Sequence, residues 1–120
     1  MSPENRTVQY YLALLIEVDA DCRNDLHDLP AALKARRTAL NRFETLVRAD
    51  PANFQYRHDQ ATNLKLTGDI LAEEHNFSGA RDLYRQALQI AESLPKGPSL
   101  QDPQPLIASL HEAADRVARK

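Results

Sequence analysis

We expect an all-α fold of five helices, arranged as two stacked antiparallel helix hairpins and a C-terminal capping helix. Three observations on the 120-residue sequence predict it. Proline is confined to the borders of long proline-free blocks, which cover 4–29, 31–50 and 52–94. These blocks are rich in alanine, leucine, arginine, glutamine and glutamate, which are strong helix formers. Within them apolar residues recur at three- and four-residue steps, and no segment alternates as a half-buried strand does.

Proline, asparagine and glycine indicate the helix borders. Pro30 suits the first turn of a helix, where its missing N–H costs nothing. Pro51 moves the preceding residue out of the α region, so one helix ends before it and another begins after it. The segment 76–79 interrupts the longest block, with Ser78 as the expected N-cap. The helices are therefore predicted at 4–26, 30–49, 53–74, 78–94 and 103–118, with a linker over 95–102.

A weak internal repeat at an offset of 48 residues pairs these helices. His27 and Asp28 align with His75 and Asn76, and an Ala-Leu dipeptide recurs at 39–40 and 87–88. The first two helices then form a hairpin over 4–49, and the next two form a second hairpin over 53–94. One hairpin cannot cover its own apolar face, so we expect the two to stack and share a core.

Small and aromatic residues in the second hairpin follow a recognisable spacing, carried by Leu64, Thr67, Gly68, Leu71, Ala80, Tyr84, Ala87 and Leu88. In this spacing 53–94 resembles a tetratricopeptide repeat. The resemblance implies a close helix crossing at Gly68 and Ala80, with Tyr84 filling the space between hairpins. Thr67 departs from the leucine of the family, and the first hairpin matches less well. The whole chain, 1–120, would be a single domain of this kind, and a plain helical bundle is the alternative.

The resemblance also implies a binding surface, because the first helix of each tetratricopeptide hairpin lines a concave groove. The groove residues would be Glu17, Asp21, Asn24, Thr62, Lys65, Asp69 and Glu73. Such a largely acidic groove favours a basic or amphipathic peptide or helix of a protein partner. The expected function is a non-catalytic protein–protein interaction module, an adaptor or regulator. Alternatively, these charges form solvated faces and ion pairs of little energetic weight.

A self-associating structural bundle without a peptide groove is the rival prediction. Two hairpins with one cap leave the end at the first helix uncovered, which favours a homodimer or a larger partner there. The candidate contacts are Tyr10, Tyr11 and Leu14. Adjacent tyrosines on a helix point about 100° apart, so at least one of the two is expected to be exposed.

The sequence predicts no catalytic residue, no cofactor and no metal site. Its four histidines form no metal-binding motif, and His27 and His75 are expected at helix C-termini in structural roles. Cys22 lies among aspartates, a setting that disfavours a reactive thiolate. A small enzyme or a metal-binding helical bundle is therefore the weakest alternative.

The net charge of −2 averages an acidic first helix with a basic second one. The basic run 34–37 has no interleaved aromatic residue for base stacking, so nucleic acid is not an expected partner. The longest apolar run, 10–16, is too short for a membrane span or a signal peptide. With a single cysteine and no such segment, we expect a cytoplasmic protein.

Overall fold

The computed structural model describes residues 2–97 and 102–120, and this part of the chain forms five α-helices and no strand. The helices are α1 (Pro3–Asp25), α2 (Leu29–Ala49), α3 (Phe54–Glu73), α4 (Phe77–Glu92) and α5 (Gln104–Ala118). The predicted all-α fold is confirmed, and each helix begins and ends within two residues of its predicted border. Residues 98–101 of the predicted linker lie outside the described residues.

The two hairpin turns have the same backbone geometry. His27 and His75 follow the ends of α1 and α3 in the left-handed region, with φ of 60° and 64°, which few residues other than glycine adopt. The next residues, Asp28 and Asn76, have φ/ψ of −88°/74° and −88°/75°. The repeat at an offset of 48 residues is therefore present in the backbone angles of the two turns as well as in the sequence.

The N-cap of α4 differs from the predicted Ser78. Asn76 takes this position, because its Oδ1 accepts a hydrogen bond from the Gly79 N–H at 3.0 Å. In the first turn Asp28 caps α2 in the same way, through the Ala31 N–H at 3.3 Å. At a helix start, the side-chain oxygen of a short polar residue accepts a hydrogen bond from the backbone N–H three residues later, which has no partner within the helix. Ser78 already lies inside the helix and therefore does not take this position.

The helices pack in two layers. α1 packs along α2 and α3 along α4, which gives the two predicted hairpins, and α2 lies against α3. A side chain of α1 also reaches α3, where the Tyr10 hydroxyl donates to Asp59 at 2.7 Å. α5 packs on α4 and α3, in the position of a cap. One layer therefore contains α1, α3 and α5 and the other α2 and α4, within 44 × 32 × 21 Å.

The second hairpin and α5 share one apolar core, in which Tyr84 is buried. The Tyr84 ring lies over Gly68, so it fills the helix crossing inside the second hairpin. The contact seen for Tyr84 is thus within its own hairpin, where the missing Cβ of Gly68 leaves room for the ring beside α3. A second core lies within the first hairpin and at the start of α3, formed by Ala13, Ala39, Phe43, Leu46 and Tyr56.

Candidate functional site

α1 exposes a row of apolar side chains on the side that faces away from α2. Ala13 and Ala20 are fully buried and mark the packed side of the helix. The opposite side carries four large apolar side chains that are 55–65% exposed: Val8, Tyr11, Leu15 and Val18. Their three- and four-residue spacing aligns them in one row on the helix surface. This row is termed the α1 stripe.

The last turns of α1 and the C-terminal half of α3 converge on a pocket of about 140 Å³. Its lining includes four of the predicted groove residues: Asp21, Asn24, Asp69 and Glu73. Leu66 and Ile70 of α3 add an apolar wall, and Arg36 of α2 also lines the pocket. The structure thus brings predicted polar residues of two helices together in what is termed the acidic pocket. Its α1 residues, Asp21 and Asn24, lie on a side of the helix different from that of the α1 stripe.

Glu17, another predicted groove residue, is bonded inside the fold. Its carboxylate accepts a hydrogen bond from the side-chain amide of Asn63, which is fully buried. Asn63 Oδ1 accepts in turn from Arg36 Nη1 at 3.0 Å, and Arg36 also forms an ion pair with Asp21. Burial raises the pKa of Glu17 above its ordinary value, and the hydrogen bond from Asn63 opposes this shift. Glu17 therefore joins α1 to α3.

Asp69 is fixed in the acidic pocket by two neighbours. The Tyr84 hydroxyl donates to its Oδ1 at 2.6 Å, and the Lys65 Nζ donates to its Oδ2 at 2.9 Å. Burial raises the pKa of Tyr84, and the hydrogen bond to Asp69 raises it further. Because Lys65 forms this ion pair, it neutralises Asp69 within α3. Thr62, another predicted groove residue, is half-buried outside the pocket and donates to the backbone carbonyl of His58 at 3.0 Å.

Of the three residues predicted for self-association, only Tyr11 is exposed, which confirms that at least one of the adjacent tyrosines faces solvent. Tyr10 packs against Phe43 and Tyr56, with ring centroids 6.2 and 5.4 Å apart. Leu14 is half-buried against the core of the first hairpin. Tyr10 and Leu14 therefore fix α1 to its neighbours, because both lie towards the packed side of the helix.

Sequence reasoning named Tyr11 and Leu15 for a self-association face but did not select Val8 or Val18. The sequence feature that could have indicated them is the pair of alanines at 13 and 20, because small residues seven apart mark a closely packed helix side. Apolar residues on the opposite side of the same helix are then candidates for exposure. The apolar run 10–16 obscured this signal because it covers all sides of the helix.

Charges around the acidic pocket are mostly paired. Asp21 is paired with Arg36 and Asp69 with Lys65, whereas Asp25 and Glu73 have no ion-pair or hydrogen-bond partner among the described residues. A second cleft of about 390 Å³ lies between α3 and α5. Its α5 wall is basic and includes Arg116 and Lys120. The exposed surface thus changes from acidic to basic between α1 and α5.

Within residues 2–97 and 102–120, no group of three or more histidine, cysteine, aspartate or glutamate side chains is placed to bind a metal ion. No helix of the same ranges has the length and apolarity that crossing a bilayer requires. The chain matches no protein-family model, no curated protein and no solved structure.

Proposed function

We propose that this chain is a non-catalytic protein interaction module, an adaptor or regulator, that docks an amphipathic and basic helix of a protein partner. The observation that carries the proposal is the exposed α1 stripe. An apolar row of this length on a water-facing helix is a feature of interaction sites, whereas scattered apolar residues on a surface are ordinary. A partner helix with its own apolar face would cover the stripe.

The hydrogen bonds and packing contacts that hold α1 in place support a preformed docking surface. Tyr10 binds Asp59 and Glu17 binds Asn63, so side-chain bonds connect α1 to α3 at two levels. Ala13 and Ala20 pack the opposite side of α1 without exposure. A rigid surface requires little ordering on binding, so the ordering cost falls mainly on the partner.

The acidic pocket supports a partner that is basic as well as apolar. It lies between α1 and α3, on a side of α1 different from that of the α1 stripe, and Glu73 in its lining has no ion-pair or hydrogen-bond partner among the described residues. Opposite charge steers association and selects among partners. A module of this kind, with a single exposed thiol that stays reduced there, is assigned to the cytoplasm.

The test uses a synthetic amphipathic peptide of about 18 residues, or five helical turns, with leucine on one face and lysine and glutamine elsewhere. Fluorescence anisotropy would measure its affinity for the wild-type chain and for the double variant Leu15→Gln/Val18→Gln. Both side chains are more than half exposed, so the variant should fold normally. We expect its affinity to fall at least tenfold, which corresponds to about 1.4 kcal/mol.

The matched control is Phe54→Gln, which removes an exposed apolar side chain at the start of α3. This variant should bind the peptide as the wild type does. Equal binding by the double variant and the wild type would contradict the proposal. Circular dichroism of each variant verifies that the helices are retained.

Self-association through the α1 stripe is the second candidate function, because a second copy could cover the same apolar row. Light scattering distinguishes partner docking from self-association, because it measures the mass of the particle in solution. Our proposal expects one chain per particle at micromolar concentration. A mass of two chains that returns to one in Leu15→Gln/Val18→Gln would favour the homodimer instead.

A further inference from the structure

We propose that the helix docked on the α1 stripe lies along α1 and carries one basic residue at each end of its apolar row. This inference rests on the proposed function and adds the alignment and the charge pattern of the partner helix. It follows from the residues that lie in line with the α1 stripe beyond its two ends.

The α1 stripe is the middle of a longer row of exposed residues on α1. Successive members of this extended row are alternately four and three residues apart, the spacing at which one helix packs along another in a coiled coil. The members are Glu4, Val8, Tyr11, Leu15, Val18, Cys22 and Asp25, all of them exposed. Cys22 continues the apolar part, because a free cysteine behaves as a small apolar residue.

A carboxylate ends the extended row on each side. At 100° per residue, Glu4 lies within about 20° of Tyr11 around the helix axis, and Asp25 lies within about 20° of Val18. Both acidic residues are exposed, and neither has an ion-pair or hydrogen-bond partner among the described residues. Two such carboxylates are complemented by cations of a bound molecule.

The exposed side of α1 carries no base of its own that offsets these two acids. The helix contains two arginines, Arg6 and Arg23. From the middle of the α1 stripe, Arg23 lies about 100° and Arg6 about 160° away around the helix axis. Arg23 also forms an ion pair with Asp19 at 3.4 Å. The apolar part of the extended row is therefore acidic at both ends.

The distance between the two carboxylates fixes how the partner helix lies. Glu4 and Asp25 are 21 residues apart, which corresponds to about 31 Å along the helix axis. A helix that crosses α1 at a steep angle can reach only one of them, whereas a helix that lies along α1 can reach both. The partner is therefore expected to carry its two bases about three heptads apart, in line with its apolar residues.

Two synthetic peptides of about 25 residues and identical composition test this inference. Both have leucine along one helical face, glutamine elsewhere and two lysines about three heptads apart. In the in-line peptide the lysines lie on the leucine face, one at each end of the leucine row; in the opposed peptide they lie on the opposite face. The in-line peptide should bind about fivefold more tightly, the value expected from two exposed ion pairs worth about 1 kcal/mol together.

The double variant Glu4→Gln/Asp25→Asn should lose most of this preference for the in-line peptide. The matched control Glu74→Gln/Asp115→Asn, which neutralises two exposed acids outside α1, should preserve it. Equal affinity of the wild type for the two peptides would overturn the inference while leaving the proposed function intact. A preference that persists in Glu4→Gln/Asp25→Asn would do the same.

A nitroxide at either end of the in-line peptide tests the alignment. A label at one end should broaden the amide resonances of residues 4–8, and a label at the other end should broaden those of residues 22–25. Labels that leave both ends of α1 unaffected would indicate a crossing helix and overturn the inference. Failure of both peptides to bind would overturn the proposed function and the inference with it.

Discussion

The ring of Tyr84 lies directly against Gly68, so that a Cβ added at position 68 would stand 2.7 Å from the Tyr84 Cε1 atom. This contact is the close crossing of α3 and α4, and it fixes the register of the second hairpin. The hydroxyl of the same ring donates to Asp69 at 2.6 Å. One residue thus connects the core of the hairpin with the acidic pocket.

Gly68→Ala should therefore destabilise the protein. The added methyl displaces a buried ring, which costs about 1–3 kcal/mol and exceeds the gain of about 1 kcal/mol from alanine's higher helix propensity. Urea unfolding followed by circular dichroism measures the difference. A variant more stable than the wild type would show that the ring is free to move away.

Asn63 connects Glu17 of α1 with Arg36 of α2 from a fully buried position. Asn63→Ala leaves the guanidinium of Arg36, a residue that is 3% exposed, without one of its acceptors. We expect a loss of about 2–4 kcal/mol in the free energy of unfolding. Thr62→Ala, at the adjacent half-buried position, is the control and should cost under about 1 kcal/mol. Equal effects of the two substitutions would contradict the network.

His27 adopts a left-handed backbone at the end of α1. His27→Gly should raise the free energy of unfolding by about 0.5–1 kcal/mol, because relief of this strain exceeds the entropy cost of glycine. His27→Val should lower it, since β-branched residues fit this conformation worst. His58→Gly, inside α3, is the opposing control and should destabilise by about 1 kcal/mol. Thermal unfolding of the three variants and the wild type measures these differences in stability. A His27→Gly variant no more stable than the wild type would contradict the prediction.

Glu17 predicts a pH dependence of stability. Burial raises its folded-state pKa above the ordinary value of 4.5, so the folded chain binds this proton more tightly than the unfolded chain does. Stability contributed by this group is therefore lost as the pH rises from 4.5 through the raised pKa. Glu17→Gln removes the titration, so the variant should gain stability relative to the wild type across this window and show a constant difference above it.

Urea unfolding of both proteins from about pH 4 to about pH 7 tests this expectation. Glu74→Gln, at an exposed position, serves as the control for general charge effects. A wild type that gains stability relative to Glu17→Gln as the pH rises would reverse the sign and refute the assigned cause.

The hairpins were predictable because the signals that make them are local. Pro30 and Pro51 act on their own backbone and on the preceding residue, so the neighbouring helix borders followed from the sequence. The turn residues His27 and His75 recur at the same offset in sequence and in backbone angle. The N-cap of α4 was missed because Asn76 and Ser78 are both good caps, and only the bond to the Gly79 N–H distinguishes them.

The internal polar network was not predictable, since its members are distant in the chain. Asn63 contacts Glu17 across 46 residues and Arg36 across 27. Helical periodicity indicates which side of a helix is buried, but not which polar groups of two helices meet. Glu17 therefore looked like a groove residue in the sequence, although its carboxylate is bonded to α3 in the structure.

Val8 and Val18 of the α1 stripe escaped prediction for a different reason. The run 10–16 is apolar on every side of α1, so periodicity alone could not separate inner from outer residues. The burial of Ala13 and Ala20 resolves it, because these two residues show which side packs on the hairpin. The acidic residues were easier to find, since charge is evident from composition.

The central claim is that the α1 stripe is the docking surface for an amphipathic helix of a protein partner. Amide shift mapping of the isotope-labelled chain, titrated with the synthetic amphipathic peptide of leucine, lysine and glutamine, tests it most directly. We predict that shifts concentrate in residues 8–18 of α1, and that α2 and α4 change little. Shifts confined to α2 and α4, or no shifts at saturating peptide, would contradict the claim.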